Sequence, residues 1–335
     1  MHPHAPASSR PHVLADKYFE SDFDWQLHES VCSPIIFQQQ QQQQQKQQHS
    51  GSRPLHLFPA SRHHVEPWED FHFKSGASFY KERRYILREF PLLLHHSPPY
   101  TLQTSGTVEM DPHSLASTFV QACPEKSAHH PHQSQLPPPT PIHIVELGCG
   151  SGASLLPILR ANPHCHVTGT DISPTSLQHF LAAARRAGIA PERVHTFAAD
   201  TASASQLARL GGLAAHILLI VFTLSALSPG RQSVMLGNAH ACLVPGGHLM
   251  IRDHGLYDMA QMRMEGGQWL GEGQSYARKD GTLAYFFSVE ELCARASDAG
   301  FQVLECKYAT VRNVNRKTGA VLDRVFIHGL FVRGG

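Results

Sequence analysis

From Pro141 onward, short apolar runs alternate with amphipathic stretches, the pattern left by the strands and covering helices of a parallel α/β sheet. The runs predict strands over 142–147, 166–170, 194–198, 216–221 and 248–252. Apolar positions at helical spacing predict helices between them, over 154–160, 174–187, 204–210 and 231–242. After Asp253 the pattern turns irregular until Tyr276–Phe287, where Asp280-Gly281 predicts a hairpin turn. A helix over 288–299 and strands over 301–309 and 325–332 follow. The expected fold is a doubly wound, mostly parallel sheet of seven strands within residues 142–333.

The preceding part of the chain reads differently. Residues 1–62 contain the run Gln38–Gln45 with a Gln/His continuation, which predicts a disordered extension because such side chains build no packed core. Residues 63–94 carry Trp68-Glu-Asp-Phe71 and Phe79-Tyr-Lys-Glu-Arg-Arg-Tyr-Ile-Leu-Arg-Glu-Phe90, aromatic and basic at roughly helical spacing, and predict a structured helical segment. Residues 95–141 end in Leu136-Pro-Pro-Pro-Thr-Pro141, whose prolines disfavour helix and strand and predict a disordered linker.

Composition sharpens this division. Of 335 residues, 41% are hydrophobic, enough for a sizeable core, but 16% charged is low, because Gln, His, Pro and Ser dilute the two tracts. The formal charge of +1 excludes a global basic field, so any RNA surface must be local. Seven cysteines without a Cys-x-x-Cys pair predict a reducing compartment. No run is apolar for long enough to cross a bilayer, and no secretory start is present, so a cytoplasmic protein without membrane contact is expected, with the nucleus an extension of that and organelle targeting the weaker reading. The histidine pairs 63–64, 95–96 and 129–130 fall in the biased tracts without Asp, Glu or Cys at metal spacing, and no metal is expected.

The chemistry begins at Glu146-Leu-Gly-Cys-Gly-Ser-Gly152, directly after one predicted strand and before a helix. Gly148, Gly150 and Gly152 allow positive φ and close approach of backbone N–H groups to a ligand. Their spacing is tighter than the G-x-G-x-x-G of a pyrophosphate site and, with Glu146, suits a ligand bearing a cationic amino-acid moiety. Asp171 ends the next strand, where an acid can accept ribose hydroxyls; Asp200 ends the one after, where an acid can meet an adenine amino group. Three acids at successive strand ends point to S-adenosylmethionine.

Several segments resemble the eukaryotic methyltransferase-like family of tRNA 3-methylcytidine methyltransferases: the Trp68 and Phe79–Phe90 segments, Val145-Glu-Leu-Gly-Cys-Gly150, Phe222-Thr-Leu-Ser-Ala-Leu-Ser-Pro229, Ile251-Arg-Asp-His-Gly-Leu-Tyr-Asp-Met-Ala260 and Gly281-Thr-Leu-Ala-Tyr-Phe-Phe287. The resemblance implies a Rossmann-like class I methyltransferase. It implies cofactor contacts by Trp68, His72, Gly148, Asp171, Asp200, Thr201 and Val221, and tRNA contacts by Lys81, Arg83, Arg84 and Arg88. An aminoacyl-tRNA synthetase or another tRNA-presenting protein is the implied partner. Departures from the family pattern stand at His72, Ala153, Thr201, His216 and His254.

Cytosine N3 carries an in-plane lone pair and attacks a sulfonium methyl without a general base, so catalysis would rest on alignment and desolvation. The methylated base is cationic, which makes Asp253 the candidate for charge stabilisation, with Arg252 and Tyr257 as orienting or substrate-contacting partners. N3 lies on the pairing edge, so the target must be unpaired or flipped, as in a tRNA loop, the anticodon loop being the expected one. Two other readings stay open at this point: a methyltransferase acting on a small molecule or protein, and a non-catalytic cofactor- or tRNA-binding subunit.

Overall fold

The computed structural model describes residues 21–50, 65–76, 81–94, 141–264, 268–271, 273–314, 319 and 321–334. Its centre is one seven-stranded sheet. The strands are β1 (Ile142–Leu147), β2 (Cys165–Asp171), β3 (Val194–Ala198), β4 (Ala215–Val221), β5 (Leu243–His254), β8 (Phe301–Val314) and β9 (Val321–Arg333), in the order β3-β2-β1-β4-β5-β9-β8. Strands β1 to β5 run parallel, and β9 pairs antiparallel with both β5 and β8. A separate hairpin, β6 (Ser275–Ala277) and β7 (Leu283–Tyr285), turns at Gly281 with φ 83°.

The parallel strands are buried on both faces, and for that reason read as continuous apolar runs. In β4, Ile217 through Val221 are all buried. One core cluster packs Leu218, Ile220, Leu236 and Leu292 on one side of the sheet; another packs Ile144, Ile158, Phe180 and Leu219 on the other. The covering helices α4 (Leu155–Ala161), α5 (Pro174–Arg186), α6 (Leu207–Gly211), α7 (Pro229–Cys242) and α9 (Val289–Asp298) lie where the pattern placed them, with the one-turn helix α8 (Met259–Met262) between the last two. Sharp starts explain why: Ser173 caps α5 by accepting from the Ser176 N–H, with Pro174 in its first turn, and Ser288 caps α9 by accepting from the Glu291 N–H at 3.0 Å.

The N-terminal expectations need correction. Residues 25–50, inside the tract expected to be disordered, form helix α1 (Trp25–Ser50). Glutamine is a fair helix former, and the helix is anchored by its first turns. Trp25 stacks on Tyr308 and Tyr257 with ring centroids 3.6 and 5.5 Å away, while Cys32 and Ile36 are buried. Just before α1, the Asp22 N–H donates to Thr310 O at 2.7 Å, and the Thr310 hydroxyl donates to Phe23 O at 2.7 Å.

Of the segment 63–94, residues 63–64 and 77–80 lie outside the described residues, and the rest is less regular than its spacing predicted. It contains α2 (Val65–Ser75), a single turn α3 (Ile86–Glu89) and a 3₁₀ turn Pro91–Leu94. Burial of Ile86, Phe90 and Leu93 against the sheet sets the path of 81–94, overriding helical propensity. The linker expected over 95–141 lies outside the described residues except for Pro141.

Candidate active site

The C-terminal ends of β1 to β4 open into one cleft whose empty space, open solvent at its mouth included, is about 860 Å³. Gly148, Cys149, Gly150, Ser151, Asp171, Asp200, Thr201 and Val221 form its floor and walls. Gly148 has φ 75°, and a Cβ there would lie 2.3 Å from Thr223 Cγ2, so no other residue fits. The Thr223 hydroxyl in turn donates to Gly148 O at 3.1 Å, joining the ends of β1 and β4. Gly152 does a different job beneath the loop: a Cβ would lie 2.0 Å from the ring of Phe180. It permits close helix packing and does not line the cleft.

Helix α2 closes over the loop and brings Trp68 and His72 into the cleft wall. Its anchor is Glu69, which accepts from the hydroxyls of Ser173 and Thr175 at the start of α5. These contacts pull the Glu69 carboxyl below its ordinary value although burial opposes them. Burial pushes the His72 imidazole pKa down, with Asp171 and Glu69 pulling the other way. Nothing in the sequence pattern singled out Glu69; only the start of α5 beside it gives it this role.

The three strand-end acids differ. Asp171 accepts from the Gly150 N–H at 2.8 Å and the Ser173 N–H at 2.9 Å, so it shapes the loop as well as lining the cleft. Burial raises its pKa against those two bonds. Asp200 is held from one side by Arg231, whose Nη2 donates to Oδ1 at 2.5 Å. Glu146 is fully buried under the loop and does not reach the cleft. Among the described residues its carboxyl has no well-formed hydrogen bond, and burial pushes its pKa up to about 8 while Arg83 and Ser154 draw it down.

Residues 124–306 match the family described as a methyltransferase domain. The tRNA N(3)-cytidine methyltransferase METTL2 of Danio rerio is 31% identical over 267 residues, covering 78% of this chain and 71% of that protein. METTL2 of Xenopus tropicalis is 29% identical over 269 residues, covering 79% and 77%. The human METTL6 of the same activity name is 26% identical over 266 residues, covering 79% of each. The chain belongs to the methyltransferase-like family of tRNA 3-methylcytidine methyltransferases. A SAM-dependent methyltransferase from Anabaena variabilis shares the fold, with a TM-score of 0.51 at 11% identity over 80% of this chain and 94% of that one.

As a methyltransferase of this family, the chain uses S-adenosylmethionine, and the cleft fits it. The glycine loop offers backbone N–H groups, acids stand at two strand ends, and Ala199, Ala202, Leu227 and Met235 provide an apolar slot for a flat ring. When bound, the cofactor supplies an electrophilic methyl group on sulfur.

The residues chosen for catalysis lie elsewhere. Arg252 is fully buried and donates through Nη1 to Glu89 Oε1 at 2.5 Å; His328 Nδ1 meets the same oxygen at 3.0 Å. This ion-pair cluster ties the 81–94 segment to β5 and β9. Asp253, also fully buried, accepts from the N–H groups of Ser225 at 3.0 Å and His254 at 2.8 Å, and burial raises its pKa. It fixes the turn after β4. Tyr257 has φ 61°, stacks on Trp25, and accepts at its carbonyl from His28 Nε2 at 3.0 Å. None of the three lines the cleft, because β5 continues past the rim and delivers them into packed structure.

Arg83, grouped with the tRNA contacts by resemblance, instead lines the cleft. Its N–H donates to Ala153 O at 2.8 Å, Nη1 to the Ser154 hydroxyl at 3.1 Å, and its guanidinium sits 5.3 Å from the Phe222 ring. Lys81, Arg84 and Arg88 are exposed, Arg84 loosely paired with Glu82 at 3.4 Å. The cleft residues that sequence reasoning missed include Phe222, Thr223 and Arg231, besides the apolar residues of the slot. Phe222 offers one structural signal: φ 56°, a conformation a bulky residue holds only when its surroundings impose it.

Proposed function

We propose that the chain forms 3-methylcytidine in a tRNA loop, the anticodon loop, by methylating an unpaired cytosine at N3 with S-adenosylmethionine. The observation that carries this is the 31% identity over 267 residues to a tRNA N(3)-cytidine methyltransferase, joined to a cleft whose wall holds the expected cofactor side chains. Trp68, His72, Gly148, Gly150, Asp171, Asp200, Thr201 and Val221 hold the cofactor; Glu146 and Gly152 support the loop from below.

The acceptor end is the wall formed by Phe222, Thr223 and Arg83. The N3 lone pair is already nucleophilic, so the protein's task is orientation and exclusion of water. The Phe222 ring provides a stacking face and Arg83 a planar donor, a pairing suited to an unstacked base. Lys81, Arg84 and Arg88 contact tRNA phosphates. With a net charge of +1, the chain holds its polyanion with the help of an aminoacyl-tRNA synthetase or another tRNA-presenting protein, in the cytoplasm and extending to the nucleus.

Mass spectrometry of nucleosides from tRNA incubated with the purified chain and labelled cofactor tests the proposal. Labelled 3-methylcytidine is expected, and Phe222→Ala is expected to lower its rate at least tenfold while leaving cofactor affinity within about twofold. No 3-methylcytidine, even with synthetases added, overturns it.

A further inference from the structure

Helix α2 covers the cleft without belonging to the cores beneath it. None of its described side chains is part of the apolar clusters that hold the sheet and its covering helices. Its outward face is open: Phe73 is 78% exposed, and the Lys74 ion pair with Asp70 lies in solvent, where such pairs contribute little. On the inward side His72 rests on the glycine loop, its Cε1 3.7 Å from where a Cβ on Gly150 would lie. The helix gives way to Gly76, φ 66°, where an added Cβ would meet nothing within 4 Å. Glycine tolerates that φ without strain and has room to change it.

Polar bonds from Glu69 fasten α2 to the body of the domain. Both oxygens are engaged: Oε2 accepts from the Ser173 hydroxyl and Oε1 from the Thr175 hydroxyl. Bonds to an ionised acceptor are about twice as strong as neutral ones. Ser173 makes two further bonds. Its N–H donates to Asp171 Oδ1 at 2.9 Å, and its Oγ accepts from the Ser176 N–H at 3.1 Å. Asp171 Oδ2 accepts in turn from the Gly150 N–H at 2.8 Å. One run of bonds therefore joins the glycine loop, Asp171, Ser173 and Glu69, and ties the covering helix to an acid of the cleft wall.

We propose that Glu69 is a positioning residue that latches α2 over the bound cofactor and sets how fast the cofactor and its demethylated product leave. While the latch holds, Trp68 and His72 stay in the cleft wall. Release follows when Glu69 parts from Ser173 and Thr175 and α2 turns about Gly76. Glu69 itself does not line the cleft, so its loss acts on release and not through a lost contact to the ligand. The assignment rests on the reading of this cleft as the cofactor site.

Tritiated S-adenosylhomocysteine, chased from the full chain by excess unlabelled compound, gives the release rate without reference to turnover. Glu69→Ala is expected to speed release about tenfold or more while the association rate stays within about threefold, since changes at one binding site fall mostly on dissociation. The melting midpoint of the cofactor-free chain is expected to stay put, because α2 adds nothing to the cores. Glu69→Gln, whose amide oxygen still accepts from one hydroxyl and whose amide N–H can donate to the other, is expected to recover most of the slow release. Unchanged release in Glu69→Ala, a lowered melting midpoint that accompanies faster release, or no recovery in Glu69→Gln overturns the latch. Should Glu69→Ala fail to fold, Thr175→Val removes one of the two bonds and is expected to speed release about threefold, near 0.65 kcal/mol; an unchanged rate overturns the assignment. If the unaltered chain binds no S-adenosylhomocysteine while melting cooperatively, the cleft reading itself falls, and the latch with it.

Discussion

At the ends of β1 to β4, polar side chains line a cleft; one strand further, at the end of β5, equally polar side chains are sealed away. Asp171 and Asp200 are partly engaged by the protein and retain a face toward the cleft, whereas Arg252 and Asp253 spend their polar atoms on Glu89, Ser225 and His254. In Arg252-Asp-His-Gly-Leu-Tyr-Asp258 the first two side chains serve a buried ion pair and a locked turn, where a lost partner is costly.

The sharpest test removes Glu89. Its loss would leave Arg252 buried without its carboxylate, and removing one partner of a buried pair costs roughly 3–5 kcal/mol. Chemical denaturation of Glu89→Ala should show a loss of that size; a stability within 0.5 kcal/mol, the ordinary scatter of surface changes, would return Arg252 to the list of candidate substrate contacts. On the cleft side, Asp171→Ala removes an acid that both shapes the glycine loop and faces the ligand. About 100-fold weaker S-adenosylhomocysteine binding is expected, near 2.7 kcal/mol, and unchanged affinity would show that the ribose end lies elsewhere.

The comparison also explains what was legible in the sequence. The sheet was readable because β1 to β5 are buried on both faces, and their apolar runs carry that fact locally. Gly148, Asp171 and Asp200 were readable because topology places strand ends together. Arg83 was not, since its place in the cleft depends on a backbone bond to Ala153, seventy positions on, which no local pattern encodes. Helix α1 was hidden for a related reason: Gln38–Gln45 has no periodicity, and the docking that anchors the helix lies upstream, in Trp25, Cys32 and Ile36.

That docking supports a smaller prediction at the β5 side of the molecule. Trp25→Ala removes a ring stacked on Tyr257 and Tyr308, and aromatic pairs contribute about 0.5–1.5 kcal/mol beyond their buried area. Faster hydrogen exchange over residues 22–36 is expected, with cofactor affinity unaffected. A change in cofactor affinity would mean that α1 communicates with the cleft.

The two regions should also respond to pH in opposite directions. Beside the cleft, burial lifts the Glu146 carboxyl to about 8. The folded state then binds a proton that the unfolded state releases near 4.5, so stability falls as pH rises through that window. At the end of β5, burial pushes the His254 imidazole down to about 4, the largest influence on it. Here the unfolded state takes up the proton first, near 6.5, so stability falls as pH drops from 6.5 toward 4. Each group contributes at most about 1.4 kcal/mol for each pH unit of its window, so the effect is read as a slope against pH. Denaturation midpoints of the cofactor-free chain from pH 4.5 to 8.5 should therefore flatten on the alkaline side in Glu146→Gln and on the acid side in His254→Phe. Identical profiles for the two variants would mean that burial is not what separates these groups, and that the cleft floor and the β5 end are electrostatically alike.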